Sequence, residues 1–319
     1  MGFGLRSNMR NMRNNHTMRD FGLTSTRICV LPAAWSFAGG CWGILLALVT
    51  LGLASHPLWA QGNYEIQVYG AETVPPKNLM FEVHSNFTVD GSRAMAGSKY
   101  GSDGTYPTRH AQHETIEMTT GVTRWSEVGF YIFTSASEQT GLQWVGDHIR
   151  PRVRAPDSWK WPVGVSLSAE VGYQRARFSP DTWTLELRPI IDKQTGRWYY
   201  AFNPTLDKSF HGPGASQGMN FSPNVKVSYD FTKKVTGGVE YYAAYGVPGN
   251  FDPIHEQQQQ IFPTLDLNLS PKWEVNLGVG IGPTAATDRW IVKAIIGRRF
   301  TFGRPDPEAG KTTETKPKS

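Results

Sequence analysis

Leu79-Met80-Phe81-Glu82-Val83-His84-Ser85-Asn86-Phe87-Thr88-Val89 is the stretch that decides the fold. Leu79, Phe81, Val83, Phe87 and Val89 fall on one face of an extended strand, and Glu82, His84, Asn86 and Thr88 on the other. Successive strand side chains point to opposite sides, so period-two alternation is the β signature. It returns at Val163, Val165, Leu167, Ala169, Val171 and Tyr173, at Val225, Val227, Tyr229 and Phe231, and at Trp273, Val275, Leu277, Val279 and Ile281. The intervening positions are largely Gly, Ser, Asn and charged residues.

Segments of this kind begin near Leu79, Glu114, Glu127, His148, Val163, Thr182, Arg197, Asn224, Val235, Ile261, Lys272 and Trp290. Each runs for about 8 to 12 residues, the length a tilted strand needs to cross a membrane. Their connections alternate. Tight ones fall at Thr123 to Ser126, Ala155 to Pro162, Asp192 to Gly196, Thr232 to Lys234 and Ser270-Pro271. Longer ones run from Asp90 to His113, Ser135 to Asp147, Gln174 to Asp181, Thr205 to Pro223, Gly246 to Gln260 and Gly282 to Arg289. Short turns at one end and long loops at the other predict an all-β fold, a transmembrane antiparallel up-and-down β-barrel of about 12 strands in a bacterial outer membrane. Trp125, Trp183, Trp198, Trp273, Trp290 and Phe300 near strand ends fit aromatic girdles at the two interfaces. A soluble sandwich or lipocalin-like barrel is the alternative, with its apolar face turned inward.

The composition agrees. In 319 residues, 39% hydrophobic, 12% aromatic and 18% charged, there is no set of long apolar runs for a helical membrane bundle. The aromatic content argues against a disordered chain. Residues 1–60 differ from the rest: Arg6, Arg10, Arg13, Arg19 and Arg27 precede an apolar run from Trp42 to Ala54. A basic region, an apolar stretch and a small residue at the break read as a signal peptide cleaved after Ala60. The rival is a membrane anchor, for which the run is short. Met12 and Met18 are alternative starts, and Ala38-Gly39-Gly40-Cys41 sits ahead of the apolar run, where a lipoprotein box would not. The formal charge of +5 belongs largely to this leader; no nucleic-acid patch is expected from it. Cys29 and Cys41 leave with it, which removes any disulfide framework or cysteine metal site.

Residues 61–78 precede the first strong strand as a lead or plug, with Pro75-Pro76 marking its end, and residues 79–302 form the barrel. Trp290, Val292, Ala294, Ile296 and Phe300 share a face of the last strand. There Gly297-x-x-Phe300-x-Phe302 resembles the terminal signal by which outer-membrane barrels meet the barrel-assembly machinery. Residues 303–319 follow as a polar periplasmic tail, disordered by composition.

Chemistry must come from the polar face. Glu82, Glu117, Glu127, Glu170, Glu186, Asp230, Glu240, Asp266 and Glu274 share it with Arg150, Arg152, Arg154, Arg188, Arg197, Lys226, Lys293 and Arg299. The bland expectation is mutual pairing across strands; the functional one is a polar conduit whose field selects the solute. Arg150, Arg152 and Arg154 form the one concentrated feature, three guanidinium groups on one face, suited to steering an anion. With Glu170, Glu186, Arg188, Arg197 and Glu240 they are the candidate lumen residues. Glu186 and Arg188 are expected to brace the lumen against Arg197 or Glu170.

No enzyme is expected. Catalysis by nucleophile and base needs both in reach, but His84 and Ser85 point to opposite faces of a strand. His110 and His113 have loose metal-ligand spacing with no third ligand. Gln257 to Gln260 reads as a loop rim, and no phosphate-binding glycine loop or dinucleotide fingerprint is present. The expected partners are membrane lipid and a small solute, with no cofactor and no metal.

Glu186-Leu187-Arg188-Pro189-Ile190-Ile191, Gly196-Arg197-Trp198-Tyr199, Phe202-Asn203-Pro204 and Gly237-Gly238-Val239-Glu240-Tyr241-Tyr242 resemble segments of the transporter-like outer-membrane barrels of the meta-pathway phenol-degradation family. The resemblance covers most of Leu79 to Phe300 and implies transport of small hydrophobic or aromatic compounds. Two functions stay open. One is a solute channel whose loop from Asp90 to His113 folds over the mouth; the other is a closed barrel with structural or adhesive work done by its external loops.

Overall fold

The computed structural model describes residues 62–303. The expected leader, its cleavage site and nearly all of the expected tail lie outside the described residues. Twelve antiparallel strands close into one barrel: β1 (Asn78–Asp90), β2 (Gln112–Thr123), β3 (Ser126–Ser137), β4 (Gly141–Arg154), β5 (Gly164–Gln174), β6 (Trp183–Thr195), β7 (Trp198–His211), β8 (Asn220–Asp230), β9 (Val235–Ala244), β10 (Gln258–Leu267), β11 (Trp273–Ile281) and β12 (Trp290–Thr301). Each strand pairs with its chain neighbours, and β1 closes the circle on β12 from Asn78↔Thr301 to Asp90↔Trp290. Closure leaves no sheet edge unpaired, the condition for strands to cross lipid.

The alternation runs opposite to that of a soluble barrel. In β1 the polar residues His84 and Asn86 are fully buried, whereas Phe81 is 36% and Phe87 37% exposed. In β12 Ile291, Lys293 and Ile295 face inward, and Val292 and Ile296 are among the most exposed residues of the strand. An apolar exterior around a polar interior needs hydrocarbon as its solvent. Trp125, Trp198 and Trp273 ring the short-turn end, and Trp144, Trp183 and Trp290 ring the long-loop end, all facing out. The soluble sandwich is thereby excluded.

Two loops are shorter than the sequence suggested. β4 begins at Gly141, seven residues before His148, because Gly141 takes a positive φ of 61° and turns the chain within a tight hairpin. β7 continues to His211 and β8 starts at Asn220, so the expected loop from Thr205 to Pro223 contracts to residues 212–219. Prolines misled here. Pro204 and Pro223 stand opposite each other inside the sheet, and Pro189 lies in the middle of β6. The ladders omit the neighbouring positions, Arg188–Ile190 against Asn203–Thr205 in β6–β7. A proline without an N–H fits where no ladder bond is asked of it.

Candidate functional site

Residues 62–76 belong to no strand and run through the barrel interior. At the long-loop end the Asn63 amide donates to Asp288 and to Thr88, and the Asn86 side chain donates to the Asn63 carbonyl. At the short-turn end Pro76 bridges to Gly121 of β2. A Cβ at Gly121 would lie 2.2 Å from the Pro75 carbonyl oxygen, so only glycine lets the segment pass so close to the wall. The segment is extended, with Tyr64, Ile66 and Val68 alternating with Glu65, Gln67 and Tyr69.

Wall side chains satisfy its backbone. The Asn203 amide both accepts from the Tyr69 N–H (2.8 Å) and donates to the Tyr69 carbonyl (3.0 Å), replacing a neighbouring strand. Lys293 Nζ donates to the Ile66 carbonyl (3.0 Å) and Thr115 Oγ1 to that of Tyr64 (2.6 Å). Arg152 donates to the carbonyls of Gly70 (3.1 Å) and Glu72 (2.6 Å). The Ala71 N–H donates to Asp192 and the Val74 N–H to Glu127. Buried backbone groups need partners, and here the wall supplies them. Ile66 and Val68 also pack on inward-facing Tyr199, Ala201, Tyr242, Phe262 and Ile291.

The charged residues form two networks. In the first, Arg150 Nη2 lies 2.8 Å from Glu117 and 3.7 Å from Glu127, with Arg152 2.7 Å from Glu127. Tyr69 of the segment sits against both the Arg150 guanidinium (4.4 Å) and that of Arg188 (4.7 Å). In the second, Glu240 receives Lys226 (3.1 Å) and Lys293, and Lys226 also reaches Asp266 (3.1 Å).

Of the candidate lumen residues, Arg150, Arg152, Arg188, Glu170 and Glu240 are buried in the interior. Arg154 lies at the short-turn rim, paired with Glu72 (2.7 Å) and Asp157. Glu186 pairs with Arg188 on its own strand, Nε to Oε1 at 2.6 Å, rather than across to Arg197 or Glu170. Glu170 meets His148 (2.5 Å). Arg197 does not face the lumen. The β6–β7 hairpin turns at Gly196, with φ at 58°, so Arg197 falls outside the strand and donates from exposed positions to the Asp230 and Phe231 carbonyls. The sequence reading missed Glu65, Tyr69, Asn203 and Asp207. Tyr64-Glu65-Ile66-Gln67-Val68 alternates, which marks an extended segment but not where it runs.

At the outer mouth the β1–β2 loop spans the opening. Tyr106 donates its N–H to the Arg177 carbonyl (2.7 Å) and packs on Phe178, whereas Thr108 donates to Asp288 (2.6 Å) in the β11–β12 loop. Burial holds the Asp288 carboxyl above its ordinary range, although Thr108, Asn63 and Ser92 all donate to it. A carboxyl raised in the folded state binds its proton first there, so the intact protein gains stability relative to Asp288→Asn as pH falls from the raised value to the ordinary one. Urea midpoints in liposomes are expected to shift in that direction as pH falls towards the ordinary aspartate value of about 4. A difference that stays flat with pH would show that Asp288 does not titrate in this way.

Below the mouth, between Tyr64 and the wall of β3 to β9, lies a cavity of about 150 Å³ lined by Glu65, Phe133, His148, Glu170, Glu186 and Asp207 among others. Among the described residues no group of His, Cys, Asp and Glu is arranged to hold a metal ion.

A closed antiparallel barrel with an apolar belt, aromatic rims and a polar interior is a bacterial outer-membrane β-barrel. No protein family and no curated protein matches the sequence. Among solved structures it is similar to the COG4313 outer membrane channel from Pseudomonas putida F1, at 10% identity over 74% of this chain and 100% of that one, with a TM-score of 0.49. The KdgM porin follows at 9% identity, 70% and 99% coverage and a TM-score of 0.44. The outer membrane channel DcaP of Acinetobacter baumannii shows 10% identity, 72% and 100% coverage and a TM-score of 0.33. Identity this low leaves substrate and mechanism to be read from the chain's own residues.

Proposed function

We propose that this protein is an outer-membrane channel for small solutes, closed in the present conformation by residues 62–76 acting as a plug. The observation that carries this is the polar and charged lining of the lumen around the plug. A barrel closed for purely structural ends is best filled with apolar side chains, because buried ion pairs seldom outperform them. Here Arg150, Arg188, Lys226 and Lys293 are buried, and so are polar atoms without a hydrogen-bond partner at His113, Asn224 and Gln260. Groups of this kind suit a wall that water wets when the plug moves. Arg150, Arg152 and Arg154, now engaged with the plug and its neighbours, would then line the inner half of the route.

The filled lumen is also what a closed structural or adhesive barrel requires, and one experiment separates the two. Deleting residues 62–72 while keeping Pro75-Pro76 and β1 is expected to turn rare, brief openings in a planar bilayer into frequent ones of higher conductance. An inserted, heat-modifiable deletion variant that stays silent would establish the closed barrel. The resemblance to the phenol-degradation family makes small hydrophobic or aromatic compounds the first solutes to test. No step of this function calls for an enzyme activity, a cofactor or nucleic acid. Outer-membrane lipid and the barrel-assembly machinery are the partners it requires.

A further inference from the structure

The cavity in the outer half of the lumen has an unbalanced lining. Four carboxylates, Glu65, Glu170, Glu186 and Asp207, face it, against the permanent cations Arg188 and Lys208. Lys208 is turned away, its ammonium donating to the carbonyls of Ala215 (2.9 Å) and Gln217. Arg188 is shared between Glu186 (2.6 Å) and Glu65 (3.7 Å). Asp207 meets the Ser222 hydroxyl.

Glu170 gives the second observation. Its side chain is 6% exposed, Oε1 is engaged by His148 Nδ1 at 2.5 Å, and Oε2 has no hydrogen-bond partner. His148 Nε2 is likewise without one. A buried carboxylate oxygen with no donor is costly, and the group that relieves it most is a charged N–H donor. The adjoining surface is aromatic: Tyr64 of the inner segment packs on Phe133 at 5.6 Å, and Phe133 meets the ring of His148, the partner of Glu170, edge to face at 4.6 Å. Aromatic faces attract cations and accept apolar surface.

We infer that this cavity binds a small organic cation, an ammonium or guanidinium group carried on an apolar body, on its way through the lumen. The charged end sits among Glu170, Glu186 and Asp207, and the apolar end lies against Tyr64 and Phe133. An anion is disfavoured by the same carboxylates. The volume of about 150 Å³ restricts the occupant to a compact solute. The inference rests on the lumen being a solute route, but its test is separate from conductance.

Protein extracted from outer membranes in detergent is titrated calorimetrically with benzylammonium chloride, and with benzyl alcohol and benzoate as neutral and anionic counterparts of the same shape. Benzylammonium is expected to bind at least about tenfold more tightly than benzyl alcohol, with benzoate weaker still. Glu170→Gln and Asp207→Asn are each expected to weaken it at least about fivefold. Equal binding of the three probes, or unchanged binding by both variants with heat-modifiable migration retained, overturns the inference. If Glu170→Gln does not fold, Asp207→Asn, at a half-buried position, decides alone. Binding by a protein that stays silent in the bilayer would keep the site and remove the channel. Conduction without binding would do the reverse.

Discussion

Arg150→Met is expected to destabilise the barrel by about 3–5 kcal/mol, the cost of leaving a buried charge without its partner. At a typical urea dependence of about 2 kcal/mol per molar this moves the unfolding midpoint down by roughly 2 M. Arg150 is the hub of its network. Its Nη2 donates to Glu117 Oε1 at 2.8 Å and lies 3.7 Å from Glu127, and its Nη1 is 4.0 Å from Glu65. Tyr69 and Tyr131 lie on its guanidinium at 4.4 and 5.1 Å. Without it Glu127 keeps Arg152 and Glu65 keeps Arg188, but Glu117 is left with His84 at 3.4 Å and the Thr119 hydroxyl. The loss therefore falls mainly on one carboxylate, and Arg150→Met/Glu117→Gln should recover much of it. Strict additivity of the two substitutions would show that Arg150 acts by packing alone. Arg150→Lys preserves the charge but not a planar group between two rings, so it should fall between wild type and methionine. Because Tyr69 belongs to the plug, each variant should also raise the frequency of channel openings in the order of its destabilisation.

How much of this was visible in the residues depends on the kind of signal. Period-two alternation and the run of short and long connections define the barrel and its polarity, since both follow from local geometry. Leu79 to Val89 already separates the lipid face from the lumen face, and β1 is inverted in just the way a lipid exterior demands. Boundaries failed where local cues conflict with the sheet. Thr205 to Pro223 read as a loop because proline breaks ladders, yet Pro223 sits opposite Pro204 inside the β7–β8 pairing. Arg197 read as a strand residue because it follows Gly196 in an alternating stretch, and one residue of slip moved it from lumen to turn. The charged lumen residues were legible as a set, but their partners were not. Pairing depends on which strands lie opposite across the interior and on what fills it, and residues 62–76 change both. Glu65 and Tyr69 connect Arg150 to Arg188, which lie on different strands, through a segment whose course no periodicity reveals.

The second network offers the counterpart test on the opposite sign of charge. Glu240→Leu is expected to cost about 3–5 kcal/mol because it strands lysines rather than carboxylates. Glu240 Oε1 lies 3.1 Å from Lys226 Nζ, and its Oε2 takes both Lys293 and the Tyr242 hydroxyl (2.6 Å). Lys226 retains Asp266 at 3.1 Å, whereas Lys293 is left with two neutral oxygens, the Ile66 carbonyl (3.0 Å) and the Tyr242 hydroxyl (3.3 Å), and the faces of Tyr242 and Phe262 at 5.6 and 5.4 Å. The uncompensated ammonium is therefore that of Lys293, on β12. Exchanging both members, Glu240→Leu with Lys293→Met, replaces the ion pair by apolar volume beside Phe262 and Ile291, and the double variant should return to within about 1 kcal/mol of wild type or exceed it. Stability would then be restored while the hydrogen bond from Lys293 to the plug at Ile66 is gone, so the double variant should be stable and yet open more often than wild type. A double variant as unstable as Glu240→Leu alone would show that the pair is required for the fold itself. One that is stable and as closed as wild type would show that Lys293 has no part in holding the plug.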